Sequence, residues 1–459
     1  MKRYLTITLF TAIAFTLLLA PACTGEKSEK TITDNTITFV QPEWFKDMVL
    51  YELNVRQFTN EGTFPAIENH VDRLKELGVD VIWFMPIHPI GEINRKGPLG
   101  SYYSVADFRD VNPEFGTMEE FKSLVNKIHE AGMHVILDWV PNHSAWDNPL
   151  MANHPDWYDK DEEGEFVSPY DWTDVVQFDW DNKDLQAYML GALKFWVEEV
   201  GVDGFRVDHP HVTPADFWLR ARKELETVKH VLMLAENEDR VEFFDNGYDM
   251  NYSWELHHLM NEVAQGKKKP LVLDEALKKD MKKFPSNAFR LRFITNHDEN
   301  SWAGTIEERM GEAGRAFAVY MYTIPGTPLL YNGQEAGLNK RLKFFERDPI
   351  DWGNSTLSGF YSALNSLKSD NPALYNGDFG GNFENITVAD AKSIYAYKRE
   401  KDNNVVLTFL NFSEELVSFK VGNPMLHGIY KDIFTGESIT LDENTVFDLG
   451  NWGYLVLTK

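Results

Sequence analysis

The feature that most constrains this chain is a repeat. From about Met48 a short run rich in β-branched and aromatic residues is followed by a loop and an amphipathic stretch, again and again. The runs are MVLYELNV, DVIWFMP, MHVILDWV, VDGFRVD, HVLMLAE, RLRFITN and TPLLYNG, with a weaker one near NGYDMNY. Between them lie FPAIENHVDRLKELG, TMEEFKSLVNKIHEAG and LQAYMLGALKFWVEEVG, whose apolar residues recur near the 3.6 period of a helix and which close on a glycine. Parallel strands need a crossover, and a helix supplies it. About eight such units over roughly 320 residues predict an α/β fold, a (β/α)8 TIM barrel.

Two segments break the repeat. Between ILDWV and the helix beginning near Leu185 lie about forty residues rich in Trp, Asp and Pro, too long for a plain connection in a compact domain. They read as an inserted domain. After about Pro372 the pattern becomes SIYAYKRE, NVVLTFLNF, LVSFKVG and NWGYLVLT, short alternating strands of an antiparallel β-domain.

The N-terminus reads as a targeting segment. MKRYLTITLFTAIAFTLLLAPAC has two early basic residues, an apolar stretch and a small-residue site ending in Cys23. Cys23 is the only cysteine, so no intrachain disulfide can form. Its place behind an apolar signal resembles the lipobox of bacterial lipoproteins, although APAC replaces the commoner leucine-first pattern. Thr24 to Asn35 reads as a polar tether. The expected organisation is a signal peptide over 1–22, a lipidated tether over 23–43, the barrel over 44–141 and 183–371, the insert over 142–182 and a C-terminal β-sandwich over 372–459. The expected location is the periplasmic or cell-surface face of a membrane, reached through lipid, since no second segment is apolar and long enough to span a bilayer.

Charge narrows the partners. A formal net charge of −26 argues against nucleic acid and anionic membrane surfaces, both of which need basic protein surface. A neutral ligand such as a sugar is compatible with it.

Active sites of such barrels are built at the C-terminal ends of the strands. The third strand ends in DWVPNH, with Asp138, Asn142 and His143. The fourth ends in FRVD, with Arg206 and Asp208 two apart and hence on one face of a strand. The fifth ends in LAENE, with Glu236, and the seventh in ITNHD, with His297 and Asp298. Each alone could be a cap or a solvated carboxylate, and each histidine a satisfied core residue. Four matches in succession at strand ends point to a site.

These four segments resemble, in order and spacing, the signature segments of the α-amylase family of retaining α-glycosidases. GSYYSVADFRDVNPEFGT resembles that family's stretch after the second strand, and TPLLYNGQEAG its eighth strand. The resemblance covers Phe45 to about Lys459. It implies barrel, insert and sandwich in the order argued above. It implies that Asp208 is the nucleophile, Glu236 the acid/base and Asp298 a stabiliser of the oxocarbenium-like transition state. Retention needs a carboxylate and a carboxylic acid close together across the scissile bond. Arg206 would keep Asp208 ionised, while Glu236 would need a less polar setting to stay protonated. His143 and His297 would bind sugar hydroxyls, and Tyr103 would stack on the sugar, with Tyr102 its immediate rival. Asp138 reads as a structural partner.

The expected activity is hydrolysis of α-1,4 bonds in starch-type or malto-oligosaccharides. A transglycosidase on the same scaffold, a glucanotransferase or branching enzyme, is the enzymatic rival, and a non-catalytic glycan-binding lipoprotein the other. Trp146, Trp157, Trp172 and Trp180 of the insert are candidates for sugar subsites or for the insert's own core. FFERDPIDW, Phe344 to Trp352, resembles a loop near the cleft in maltodextrin-degrading relatives. No cofactor is expected to be obligatory. Relatives often hold calcium between barrel and insert, but here Gln177 stands where aspartate is usual and Val212 where histidine is usual. His209 or His211 is expected to bridge that gap by hydrogen bonds instead. The loop RQFTNEGTF, the place of the other common calcium site, carries one acid, Glu61.

Overall fold

Eight strands close into a barrel in which every neighbour pair is parallel. They are β1 (Leu50–Leu53), β2 (Val81–Phe84), β3 (His134–Trp139), β6 (Gly204–Val207), β7 (Leu232–Ala235), β8 (Met250–Tyr252), β9 (Phe289–Arg292) and β10 (Thr327–Tyr331), with β4 (His143–Ala145) and β5 (Val175–Gln177) forming a separate ribbon between β3 and β6. β10 closes onto β1 in the register Leu50 to Leu329. In this computed structural model the described residues are 39, 41–353, 355–388 and 393–459. The signal segment, Cys23 and the tether at Thr24–Asn35 lie outside them. The described residues from 41 onward belong to one compact unit.

The strands are near-continuous apolar runs because both faces are covered, by helices outside and by packed side chains inside. Leu50, Trp83, Ile136, Leu234 and Leu291 fill the interior, and Phe45 packs with them from the segment that precedes β1. The helix Met118–Glu130 shows how the outer layer forms. Thr117 and Glu120 make a reciprocal capping box at its start, and Phe121, Leu124, Val125 and Ile128 bury one stripe. The stretch FPAIENHVDRLKELG reads as one helix but folds as two, Phe64–Glu68 and Val71–Leu77, broken at Asn69 and His70. The break lets Phe64 pack at 4.9 Å from Phe121 while Leu74 and Leu77 are buried from the second piece.

His143 pairs with Gln177 across the β4–β5 ribbon, and Asn182 caps the helix Lys183–Phe195 that returns the chain to the barrel. The C-terminal region is antiparallel throughout, a six-stranded sheet with a two-stranded one. Four strands not singled out in the sequence, Asn382–Asn385, Gly428–Asp432, Ser438–Leu441 and Val446–Leu449, complete it. Phe409, Phe419, Tyr430 and Leu457 form its core. Phe412 stacks at 5.0 Å on Phe317 of the barrel helix Ala313–Thr323. Among the described residues no helix is long and apolar enough to cross a membrane.

Candidate active site

All strands of a parallel barrel end on one rim, so residues distant in sequence meet there. Asp208 follows β6, Glu236 follows β7 and Asp298 follows β9. All three line one cleft of about 330 Å³ with Tyr103, His143 and His297.

The glycine before the strand-four arginine has a steric reason. Gly204 lies at φ +150°, and a Cβ there would sit 2.0 Å from the Leu232 carbonyl oxygen of β7. Only glycine lets the strands approach this closely.

Arg206 is fully buried and holds the centre together. Its Nη1 donates to Asp138 Oδ1 and to Asp208 Oδ1, both at 2.9 Å. Its Nη2 lies 2.8 Å from Glu236 Oε1. Carboxylates from three successive barrel strands thus converge on one guanidinium. Glu236 Oε2 also accepts from the His209 backbone N–H at 3.2 Å, which orients the carboxyl from its other side. The sequence reading assigned Arg206 to Asp208 and a less polar setting to Glu236; in the structure one cation serves both, because β6 and β7 are adjacent and the guanidinium is wide enough to reach across.

Asp138 has the supporting role expected of it. Its Oδ2 accepts from Trp83 Nε1 at 3.2 Å and from the Tyr103 hydroxyl at 3.1 Å. Burial, against the pull of Arg206, pushes its carboxyl up to about 7.

Tyr103, not Tyr102, faces the cleft. Tyr102 is turned inward, where its hydroxyl accepts from Asn54 and its ring lies under the Arg56 guanidinium. Two histidines fix Tyr103. His143 Nε2 donates to its carbonyl at 3.1 Å, and Asn142 donates to His143 Nδ1 at 3.2 Å. Burial holds His143 down at about 4, so it is neutral at pH 7. His297 Nε2 lies 2.8 Å from the Tyr103 hydroxyl, and its Nδ1 lies 2.5 Å from Glu52. Burial alone would lower His297, but the carboxylates of Asp298 and Glu52 raise it to about 9. It is then an imidazolium donating from both nitrogens. Both rings line the cleft as the sequence suggested, yet every ring nitrogen already has a protein partner. A sugar hydroxyl would share or replace those bonds.

The sequence reading missed three features. Glu52 lies in β1, fully buried; an acid inside an apolar strand run was the available signal. Trp302, four residues past Asp298, is 57% exposed at the cleft beside Phe344. Lys96 reaches the cleft from the loop after β2. Of the insert tryptophans, Trp157 and Trp180 are core and Trp146 donates to the Thr173 carbonyl, while Trp172 lines the cleft. Phe344 and Phe345 bring the FFERDPIDW loop to the cleft as expected.

Between barrel and insert, residues at the places where relatives hold calcium make hydrogen bonds within the protein. Gln177 Nε2 donates to Asp159 at 2.7 Å. The Nδ2 of Asn142 donates to His143. Among the described residues no group of three or more His, Cys, Asp or Glu is arranged to hold a metal. His209, at φ +41°, does bridge to the insert, but by ring contacts with Trp172 at 5.4 Å and Tyr170 at 6.0 Å; its Nδ1 has no hydrogen-bond partner among the described residues.

Comparison with known proteins agrees with this geometry. The family model for the α-amylase catalytic domain matches residues 33–156 and 151–373. The chain is 29% identical to alpha-amylase MalA of Haloarcula japonica over 88% of its own length, and it spans 62% of that relative. It is 24% identical to alpha-amylase 2 of Dictyoglomus thermophilum, covering 88% of this chain and 75% of that one. Among solved structures, a maltogenic α-amylase from Thermotoga neapolitana superposes with a TM-score of 0.82 at 28% identity, over 90% of this chain and 98% of that one. An α-amylase from Lactobacillus plantarum gives 0.81 at 26%, over 90% and 99%. With barrel, insert and strand-end segments all inside the matched region, the chain belongs to the α-amylase family of glycoside hydrolases and carries that family's catalytic domain.

Proposed function

We propose that the protein hydrolyses α-1,4-glucosidic bonds of starch-type or malto-oligosaccharides with retention. The observation that carries this reading is the convergence of Asp208 and Glu236 on Arg206 at the floor of a cleft that Asp298 also lines. The similarity to α-amylases and to a maltogenic α-amylase supports an α-glucan as substrate. In the first step Asp208 attacks the anomeric carbon while Glu236 gives its proton to the departing glycosidic oxygen, leaving the sugar esterified to Asp208. In the second, Glu236 takes a proton from water, the water oxygen bonds to the anomeric carbon, and Asp208 leaves. Two inversions give net retention. Arg206 holds the Asp208 charge in both steps, and Asp298 steadies the oxocarbenium-like transition states. Tyr103, fixed at its carbonyl and its hydroxyl, offers its ring to the sugar.

Calcium is proposed not to be required, because Gln177 already donates a hydrogen bond to Asp159 where a cation would otherwise sit. A location on the outer side of a bacterial membrane, held by lipid on Cys23, is proposed from the sequence of the N-terminal segment alone.

The test is a time course of product sizes from soluble starch, maltotriose and pullulan, with maltoheptaose in parallel. Shorter products of retained configuration support hydrolysis. Products longer than maltoheptaose favour the transglycosidase, and absence of turnover on every substrate favours the glycan-binding protein.

A further inference from the structure

Five aromatic residues line the cleft, and Trp302 differs from the rest. Tyr103, Trp172, Phe344 and Phe345 are partly buried, whereas Trp302 leaves 57% of its surface to solvent. A large apolar ring open to water is unfavourable unless something covers it. That ring nevertheless stands on backbone fixed from two sides.

Trp302 belongs to one wide turn, Glu299–Ala303, closed by the Gly304 N–H donating to the Glu299 carbonyl at 2.8 Å. Turns of this π type are rare and recur at functional sites. Glu299 lies 3.1 Å from His257 and 3.4 Å from Arg309, which ties the start of the turn to the helices Trp254–Ala264 and Ile306–Met310. The buried Asn300 reaches the loop after β10, donating to the Lys340 carbonyl at 3.0 Å and accepting from the Leu342 N–H at 2.8 Å. The Ser301 hydroxyl donates to the Leu342 carbonyl at 3.1 Å. All three residues before Trp302 are thus anchored. A ring held in place before its ligand arrives loses less freedom on binding.

The neighbours of the indole connect it to the catalytic centre. Its ring centroid is 5.3 Å from that of Phe344 and 6.0 Å from that of Phe345. Phe344 in turn stands 6.3 Å from Tyr103, with the ring planes 10° apart. Tyr103 stands 5.6 Å from His297, which precedes Asp298. Tyr103 and Trp302 therefore share Phe344 as a neighbour in one cleft. Aromatic rings bring a large contact area in a defined orientation, and the C–H faces of a pyranose pack on such a surface. We propose that Trp302, with Phe344 beside it, is a platform for a further glucose unit of the chain that stacks on Tyr103, so that the protein favours α-glucan chains long enough to cover both. This rests on the α-glucan reading given above.

The experiment measures kcat/KM on malto-oligosaccharides from maltose to maltoheptaose for the unaltered protein, Trp302→Ala and Trp302→Phe. The quantity read is the value for maltoheptaose divided by that for the shortest chain cleaved, so that a general loss of activity cancels. Trp302→Ala is expected to lower this ratio about tenfold, ~1.36 kcal/mol of barrier. Trp302→Phe is expected to recover most of it, because a ring face remains. Calorimetric titration of maltoheptaose into Asp208→Asn, with and without Trp302→Ala, is expected to give a dissociation constant about tenfold higher without the indole. An unchanged ratio in Trp302→Ala overturns the proposal, as does an equal dissociation constant; the exposed ring would then serve something other than the substrate chain. If the unaltered protein cleaves no chain of the series and Asp208→Asn binds none, the α-glucan reading falls and this inference with it.

Discussion

The guanidinium of Arg206 donates to the carboxylate of Asp208 at 2.9 Å, two residues further along the same strand end. The same side chain also bonds Asp138 and approaches Glu236. Removing it leaves buried carboxylates without their cation, a loss of about 3–5 kcal/mol where one partner of a buried pair is deleted. Arg206→Met is expected to lower the unfolding free energy by that order, measured by urea denaturation. An unfolding free energy within about 1 kcal/mol of the unaltered protein would contradict this role. Arg206→Lys is expected to fold and to lose activity, because one ammonium cannot span the sites a planar fork reaches.

Asp208→Asn and Glu236→Gln are each expected to reduce turnover on malto-oligosaccharides by roughly 10³-fold or more, since each removes one half of the double displacement. Circular dichroism should stay unchanged. Near-normal activity in either purified variant would sink the assignment.

His297 carries a pH prediction. Its pKa stands at about 9 against an ordinary 6.5, burial being outweighed by Asp298 and Glu52, with Arg206 opposing and the Tyr103 hydroxyl facing its other nitrogen. The folded state keeps a proton that the unfolded chain loses above 6.5. The associated stability is full below that pH and is lost as pH rises through about 9. Melting temperature and kcat/KM should therefore both fall on an alkaline limb approaching pH 9. Glu52→Gln removes one of the two supporting carboxylates and should move the limb to lower pH. A limb at the same pH in both proteins would show that the pair does not set it.

Excess EDTA is expected to leave the melting temperature unchanged, because a ligand that binds only the folded state raises it and calcium is proposed not to be required. A drop of many degrees with chelator, restored by calcium, would refute the reading of Gln177 and Asp159.

Cys23→Ser is expected to move the protein from the membrane fraction to the soluble one, lipid rather than a spanning helix being the proposed attachment. Retention in the membrane fraction after signal cleavage would refute the anchor.

The barrel, the insert and the strand-end acids were legible because each is written in short-range pattern. The switch between a β run and a 3.6-period stretch is local, and a parallel barrel carries every strand end to the same rim, so Asp208, Glu236 and Asp298 follow from their places after strands. Tyr103 was chosen over Tyr102 only through the family resemblance; neighbours on an irregular loop point different ways, and packing under Arg56 decides that Tyr102 is the buried one. Gly204 is visible as a letter, but the Leu232 carbonyl that requires it lies on the next strand. The pairing of His297 with Glu52, 245 residues apart, the three carboxylates on Arg206 and the ion pair of Lys96 with Asp174 arise only in three dimensions. Periodicity sets which face a side chain takes; which distant charge it meets is set by the closure and register of the barrel, and no local pattern encodes that.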